Sequence, residues 1–399
     1  MRGHVRKRGK KWVVVTDIGR DESGKRQQRW HSGYGTRKEA EAALAEILGK
    51  LDRGEYVAQT KLTFGEFLRD RWLPHLESQA DLGNLRATTV GFYSQLIQAH
   101  VFPRLGTVRL RSLDPPTLNR FYGELMRNGR RVKPGQPSAG LSATTVHSVH
   151  VTIGKALGDA VRWGLLARNV ATLADPPGPA RTERTIWDAE DVATFLAATS
   201  GSRLYPAWLL AITTGLRRGE IAGLRWPEVD LDNARLTVSG ARVSVRYKVV
   251  DSGPKTARSR RTIAIAPVVV EALRAQRERQ REEQQAWGPA WAASGLVFTR
   301  EDGTAYHPEY LTFAFQSAAK KAGLPSIAFH ALRHGHATEG LRAGVDLVTM
   351  SRRLGHSSIQ VTGDIYAHVV DELDRKAAEL TARLVRGPGV EQVTAGDIV

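Results

Sequence analysis

Arg217, Lys255, His330, Arg333, His356 and Tyr366 follow one another through the carboxy-terminal half of the chain, and each is a residue type that can act on a phosphate. In "TTGLRRGEIAGLRW", Arg217 and Arg218 fall between an apolar helical run and a second helix, with Glu220 three residues past Arg217. A guanidinium fixed at such a junction can make a two-pronged contact to a phosphate. Equally, an Arg–Glu ion pair there need do no more than organise the turn. In "FHALRHGHATE", His330 and Arg333 share a helix face, putting a cation beside a proton donor. His330 and His334 are also four residues apart, a spacing that metal sites use. No H-E-x-x-H signature or second ligand cluster accompanies them, so metal is the weaker reading, and no metal or cofactor is expected. His334 and His336 are expected to pack or hydrogen-bond. Lys255, in "PKTARSRR", sits near the tip of an expected β-hairpin. A solvated basic loop is the ordinary reading of that stretch, but a mobile lysine could also reach a DNA backbone and donate a proton. Tyr366 lies ten residues after His356 in "RRLGHSSIQVTGDIYAHVVDEL". On a helix, Ile359, Thr362, Tyr366, Val369 and Leu373 form one stripe, which favours a core aromatic. A tyrosine can still belong to such a stripe and present its polar tip.

The elements that must position these groups read as a multidomain α+β chain of 399 residues. Residues 1–57 are expected to form short strands plus a helix. "KWVVVTDIG" alternates and is β-branched, "DESGK" is a turn, and "RQQRWHSGYG" is a second strand region. "TRKEAEAALAEILGKLDRG" follows as a helix, with Thr36 and Glu39 as a capping box and Gly54 as its stop. Residues 62–175 carry four helical stretches and a basic Pro/Gly loop, "GRRVKPGQPSAG", and are expected to be an all-α domain. His147 and His150, on the fourth stretch, read as surface or packing residues. "DPPGPARTE" is a linker into residues 184–386, a mixed, mainly helical domain with a small β-sheet. Asp188 is a candidate cap there, and helices are expected at about 267–287, 308–322, 331–343, 345–353, 358–369 and 371–386. Residues 387–399 form a tail without periodicity.

Composition narrows the partners. There are 58 Lys and Arg against 41 Asp and Glu, a net charge of +17, and residues 1–38 alone hold twelve of the cations against three acids. Such a basic footprint points to nucleic acid. The sequence has no cysteine, which excludes disulfides, thiolate metal sites and a cysteine nucleophile. No long apolar run and no signal peptide is seen, so a cytoplasmic protein without a membrane partner is expected.

Taken in order, the six candidates spell R…K…H-x-x-R…H…Y, carried by "TGLRRGEIAGLRW", "PKTARSRRTIAI", "FHALRHGHAT" and "LGHSSIQVTGDIYAHV". This pattern resembles the tyrosine recombinase, or phage integrase, family. The resemblance extends over the whole third region. The middle region is similar to that family's core-binding domain, and residues 1–57 to the arm-type DNA-binding domain of large integrases. The resemblance implies that Tyr366 attacks the scissile phosphorus to give a 3′-phosphotyrosine and that Arg217 and Arg333 stabilise the transition state. It further implies that His356 hydrogen-bonds a phosphate oxygen, His330 assists proton transfer at the nucleophile and Lys255 protonates the departing 5′-oxygen. Double-stranded DNA at core and arm sites is the implied substrate, bound by a homotetramer, with an excisionase and a host DNA-bending protein as implied partners. Two positions depart from the family pattern: Ala331 stands where an acidic residue is frequent, and Gly363 where an apolar one is usual. The competing readings are a DNA-dimer resolvase, a type IB topoisomerase-like enzyme and a DNA-binding regulator without catalysis.

Overall fold

In the computed structural model, residues 3–20, 26–52, 61–130, 139–178, 185–245, 248–253, 260–356 and 358–366 are described, with a few positions between 374 and 382. The chain divides into two compact units, Met1–Arg181 and Thr182–Val399.

In the first unit, strands β1 (Gly3–Arg8), β2 (Lys11–Arg20) and β3 (Arg26–Tyr34) form an antiparallel sheet in the order β1-β2-β3. The β-branched run of β2 is its core, with Val13, Val14 and Val15 all buried. Helix α1 (Arg37–Asp52) covers one face. The expected capping box is present: Glu39 N–H donates to Thr36 Oγ1 at 3.2 Å and Thr36 N–H to Glu39 Oε2 at 3.3 Å. Gly54, the expected stop, lies outside the described residues.

The helical part of this unit contains two long runs, each widened at one point. Helix α2 (Phe64–Phe67) continues through a π-wound turn, Leu68–Trp72, into α3 (Leu73–Asp81). Likewise α4 (Ala87–Leu96) continues through Ile97–Val101 into α5 (Phe102–Leu105). In both runs a proline, Pro74 or Pro103, stands two residues past the wide turn. Proline has no N–H and its ring collides with the carbonyl four residues back. Opening the coil to the i→i−5 pattern, as in Leu73 N–H to Leu68 O and Phe102 N–H to Ile97 O, lets the helix pass the ring without breaking. Helices α6 (Pro115–Asn128) and α7 (Ala143–Arg162) complete the four stretches. Their common core holds Phe64, Trp72, Ile97, Leu118 and Ile153, and Trp72 Nε1 donates to the buried Asp159 carboxylate at 2.7 Å. His150 Nδ1 is hydrogen-bonded to Tyr122 Oη at 2.9 Å, the packing role expected of it.

The second unit is built around α9 (Tyr205–Thr214), whose residues Pro206–Ala211 are buried in succession, as an apolar run without a polar face requires. Trp187, Phe195, Trp208, Phe315 and Phe329 pack edge to face or tilted around it, supplied by α8 (Ala189–Thr199), α12 (Pro308–Lys321) and α13 (Phe329–Arg342) among others. Asp188 caps α8, accepting from Asp191 N–H at 2.8 Å. Between α10 (Arg218–Gly223) and α11 (Pro267–Trp287) lie two small sheets rather than one hairpin. Strands β4 (Val229–Asp230), β5 (Arg235–Val238) and β8 (Arg261–Ala264) pair in that order, and β6 (Ala241–Val245) pairs with β7 (Lys248–Ser252). The β6–β7 pairing ends with Val245 opposite Lys248. Lys255, expected near a hairpin tip, lies outside the described residues. After α13 come α14 (Leu347–Leu354) and α15 (Ile359–Ile365). Helix α15 is shorter than expected. Of the expected stripe, Thr362 and Tyr366 are buried but Ile359, the first residue of α15, is 46% exposed. Val369 and Leu373 lie outside the described residues.

Candidate active site

The site is organised by the C-terminus of α14. The last carbonyls of a helix lack intrahelical donors and carry the negative end of its dipole. Here three successive carbonyls each accept from a different guanidinium. Arg353 O accepts from Arg261 Nε at 2.8 Å, Leu354 O from Arg333 Nη2 at 2.6 Å, and Gly355 O from Arg217 Nη2 at 3.4 Å. Gly355 ends the helix in the left-handed conformation, φ 68°, which turns the chain into His356.

Each arginine reaches this point from a separate element. Arg217 precedes α10, after Gly215 has ended α9 with φ 63°. The Glu220 carboxylate accepts from Arg217 N–H at 2.9 Å and Arg217 Nη1 at 3.0 Å, so the ion pair does organise the turn. Arg333 stands on α13, is almost fully buried, and donates its other arm to Gly215 O at 2.8 Å. Burial and then the neighbouring Arg217 push its pKa below the ordinary arginine value. It is still a cation at neutral pH. Arg261 opens β8 and donates to both oxygens of Glu220, at 3.0 and 2.9 Å. Burial pushes Glu220 up, but the bonds and charges of Arg261 and Arg217 outweigh it and hold the carboxyl below the usual range.

His356 is half-buried, and its Nδ1 is hydrogen-bonded to Thr362 Oγ1 at 2.7 Å. Burial first, then the charges of Arg333, Arg217 and Arg261, push its pKa down to about 4, so it is neutral at physiological pH. Tyr366 follows α15 and is 2% exposed, among Ala337, Leu341, Met350 and Leu354. Its hydroxyl is hydrogen-bonded to His334 Nδ1 at 3.1 Å. His330 is exposed one turn before His334, the two rings edge to face at 4.9 Å. The structure thus gathers Arg217, Arg333 and His356 at one helix end, with His330 and Tyr366 joined to them through α13. Among the described residues, no group of three or more His, Cys, Asp or Glu is placed to hold a metal ion, and no helix is long and apolar enough to cross a membrane.

The phage integrase family matches residues 187–372, and an arm DNA-binding domain matches residues 4–51. A tyrosine recombinase XerC-like protein of Caldanaerobacter subterraneus subsp. tengcongensis is 30% identical over 392 residues, which are 94% of this chain and 96% of the relative. The chain belongs to the phage integrase family of tyrosine recombinases. An integrase of Streptomyces ambofaciens is 29% identical over 371 residues, 91% of this chain and 90% of that one. Among solved structures, the integrase of transposon Tn1549 in complex with transposon right end DNA shares the fold over 81% of this chain and 100% of that chain, with a TM-score of 0.65 at 20% identity. A lambda integrase tetramer bound to a Holliday junction covers 98% of this chain and 97% of its own, with a TM-score of 0.56 at 16% identity. The protein is accordingly a site-specific DNA recombinase with an arm-type module at its N-terminus.

Two residues of this recombinase's site escape a reading by motif. Arg261 is buried, yet it sits inside what reads as a basic loop running into a strand. Its signal is the alternation of "RTIAI", which puts Arg261 on the same inward face as Ile263 and Ile265. Arg353 is the other: its guanidinium donates to Thr213 O and Ala264 O, each at 3.1 Å, and to His336 Nε2 at 3.2 Å, tying α14 to α9, β8 and α13. The departure at Ala331 has a packing counterpart. Its side chain lines a largely apolar cavity of about 350 Å³ with Trp187, Val192, Ile212 and Leu332.

Proposed function

We propose that the recombinase cuts and rejoins DNA through a 3′-phosphotyrosine on Tyr366, to integrate and, with a directionality factor, excise a mobile element. The observation that carries this is the convergence of Arg217, Arg333 and His356 on the end of α14, with Tyr366 one short helix away. Tyr366 Oη attacks phosphorus, the bond to the 5′-oxygen breaks, and the phosphodiester energy is kept in the new ester for the return step. A tyrosine hydroxyl titrates near 10, so a base must take its proton; His330 is assigned that role. Negative charge grows on the non-bridging oxygens as the transition state forms. The fixed guanidiniums of Arg217 and Arg333 meet it without reorganising. With Nδ1 accepting from Thr362, neutral His356 donates its Nε2–H to the same oxygens. Lys255 gives a proton to the departing 5′-oxygen. In the resting state Tyr366 Oη is bonded to His334, so that bond must open before attack.

In this reading residues 1–57 bind arm sites, 62–175 bind the core site, 184–386 are the catalytic domain, and 387–399 are a tail. The working assembly is a homotetramer on two duplexes in the bacterial cytoplasm, aided by an excisionase and a host DNA-bending protein. The arm module favours integration over the resolvase and topoisomerase readings, because it can bridge to a separate site. The test is a nicked DNA carrying the element's crossover site, incubated with the protein in EDTA. A covalent protein–DNA band should form and be absent with Tyr366→Phe, while a gel shift persists. A covalent band that survives in Tyr366→Phe refutes the assignment.

A further inference from the structure

A buried arginine on a strand face shared with isoleucines demands a reason, since a buried cation costs more than it returns unless it is fully paired. The Arg261 side chain is 6% exposed and that of Glu220 is 9%, whereas Arg217 keeps 42% of its side chain in solvent. Glu220 has about four lone-pair positions. Oε1 accepts from Arg217 Nη1 and Arg261 Nη1, both at 3.0 Å; Oε2 accepts from Arg217 N–H and Arg261 Nη2, both at 2.9 Å. One carboxylate is thus shared by two guanidiniums, and the cluster keeps one net positive charge, whose accessible end is Arg217. Were Arg261 absent, the whole carboxylate charge would fall on Arg217 and cancel it. The third described arm of Arg261, Nε, holds Arg353 O, two residues before the carbonyl that Arg217 reaches and three before His356. The chain there runs directly against the guanidinium: a Cβ added at Gly355 would lie 3.0 Å from Arg261 Cδ and Nη1.

We infer that Arg261 is a positioning residue for strand cleavage: it takes the Glu220 charge so that Arg217 can meet the scissile phosphate, and it fixes the turn that carries His356. This rests on the proposed reading in which Arg217 contacts the phosphate. Lysine could not replace it in full, because a single ammonium cannot give a two-pronged bond to Glu220 and a third bond to Arg353 O.

The test compares covalent-adduct rates of the full chain on two nicked substrates, one with an ordinary scissile phosphate and one with a neutral methylphosphonate at that position. A cation that neutralises a phosphate oxygen is needed only for the first. Arg261→Met should slow adduct formation on the phosphate by about a hundredfold, as a displaced charged group does, and change the methylphosphonate rate little. Adding Glu220→Gln to Arg261→Met should regain most of the loss, because glutamine still accepts from Arg217 without cancelling its charge. Should Arg261→Met fail to fold, Arg261→Lys keeps the buried charge and carries the same comparison, with a smaller loss again confined to the phosphate. Equal slowing of both substrates by a folded Arg261 variant overturns the inference and leaves a purely structural role. Arg217→Ala is the reference. If it discriminates between the substrates and the Arg261 variants do not, only this inference falls. If Arg217→Ala does not discriminate, the reading of Arg217 as a phosphate contact falls first.

Discussion

Gly215 touches no DNA in the proposed mechanism, yet its replacement by alanine should disable the site. It ends α9 with φ 63°, where an L-residue with a Cβ pays about 1–2 kcal/mol. The added Cβ would also lie 2.8 Å from His336 Cδ2 and 2.8 Å from Leu354 Cδ2. Neither neighbour yields easily: Leu354 is fully buried, and His336 is held by Arg353. Overpacking of this kind costs about 1–3 kcal/mol, so the two effects together reach about 2–5 kcal/mol. The Gly215 carbonyl is also the acceptor for Arg333 Nη1 at 2.8 Å, so any backbone shift that relieves the clash carries Arg333 with it. Urea unfolding followed by tryptophan fluorescence should show a lower midpoint for Gly215→Ala. Adduct formation at saturating DNA should fall further than the remaining folded fraction explains. Gly215→Asn separates the two costs, since asparagine tolerates the left-handed region better but brings the same Cβ; it should stay impaired. A Gly215→Ala protein with an unchanged midpoint and full cleavage would refute the reasoning.

Acid should weaken the fold in a defined window. His336 and His356 both titrate near 4 in the native protein, pushed down first by burial, against about 6.5 in an unfolded chain. The unfolded state therefore binds more protons between those values. Stability is fully present above about pH 6.5, falls as the pH drops towards 4, and is flat for these groups below that. Unfolding midpoints that stay constant or rise on acidification through this range would contradict it. On the N-terminal sheet, the Arg6 and Arg8 guanidiniums lie 5.2 and 5.8 Å from the ring centroid of the exposed Trp30. If both contact phosphates, Arg6→Gln with Arg8→Gln should flatten the slope of log K against log salt by about 1.8 for an arm duplex, and an unchanged slope in filter binding would place the contacts elsewhere. Trp72→Phe removes the Nε1–H donor to the buried Asp159 and should cost about 1–3 kcal/mol in chemical denaturation; a neutral result would mean Asp159 is satisfied without it. Gly363→Ala has room, since among the described residues the new Cβ would meet only Leu347 Cδ2 at 3.9 Å, and should stabilise α15 by about 0.5–1 kcal/mol. A lower melting temperature would show that the glycine is required.

Much of this was legible in one dimension because it is local. The Thr36–Glu39 capping box, the apolar α9 and the helix starts at Pro267 and Pro308 depend on neighbours within a few residues. The order of candidate groups depends on residue type alone. What was not legible is pairing over distance. Arg261 meets a carboxylate 41 positions away and a carbonyl 92 positions away, and only its place in a period-two alternation hints that it points inward. The strand order is hidden for the same reason. β8 pairs with β5 across the intervening β6–β7 hairpin, and no local turn signal reports which strands join. The stripe holds at Thr362 and Tyr366 but not at Ile359, the first residue of α15, which is exposed.

The end of α14 explains why the cations of this site can be assembled before DNA arrives. Guanidiniums brought together without anions would repel one another; after burial, the neighbouring Arg217 is the next cause that pushes the Arg333 pKa down. A helix C-terminus offers a row of partial negative charges at fixed spacing, and three of the arginines take one carbonyl each, with Glu220 supplying the remaining full charge. Carbonyls orient a guanidinium without cancelling it, which a second carboxylate would do. In the proposed mechanism the incoming phosphodiester would meet positive charge already held in place, so little reorganisation would be left for the transition state. Arg333 and His334 are adjacent on α13, and one grips the α14 end while the other grips the Tyr366 hydroxyl. In the proposed mechanism, a shift of α13 relative to α14 would therefore move the Arg333 charge and release Tyr366 in one motion. That coupling predicts that His334→Ala, which cuts the link to Tyr366 and leaves the Arg333 bonds intact, should change the rate of adduct formation while leaving core-site affinity in gel shifts unaltered. A parallel loss of affinity would show that His334 supports the Arg333 end as well, and that the two grips are not separable.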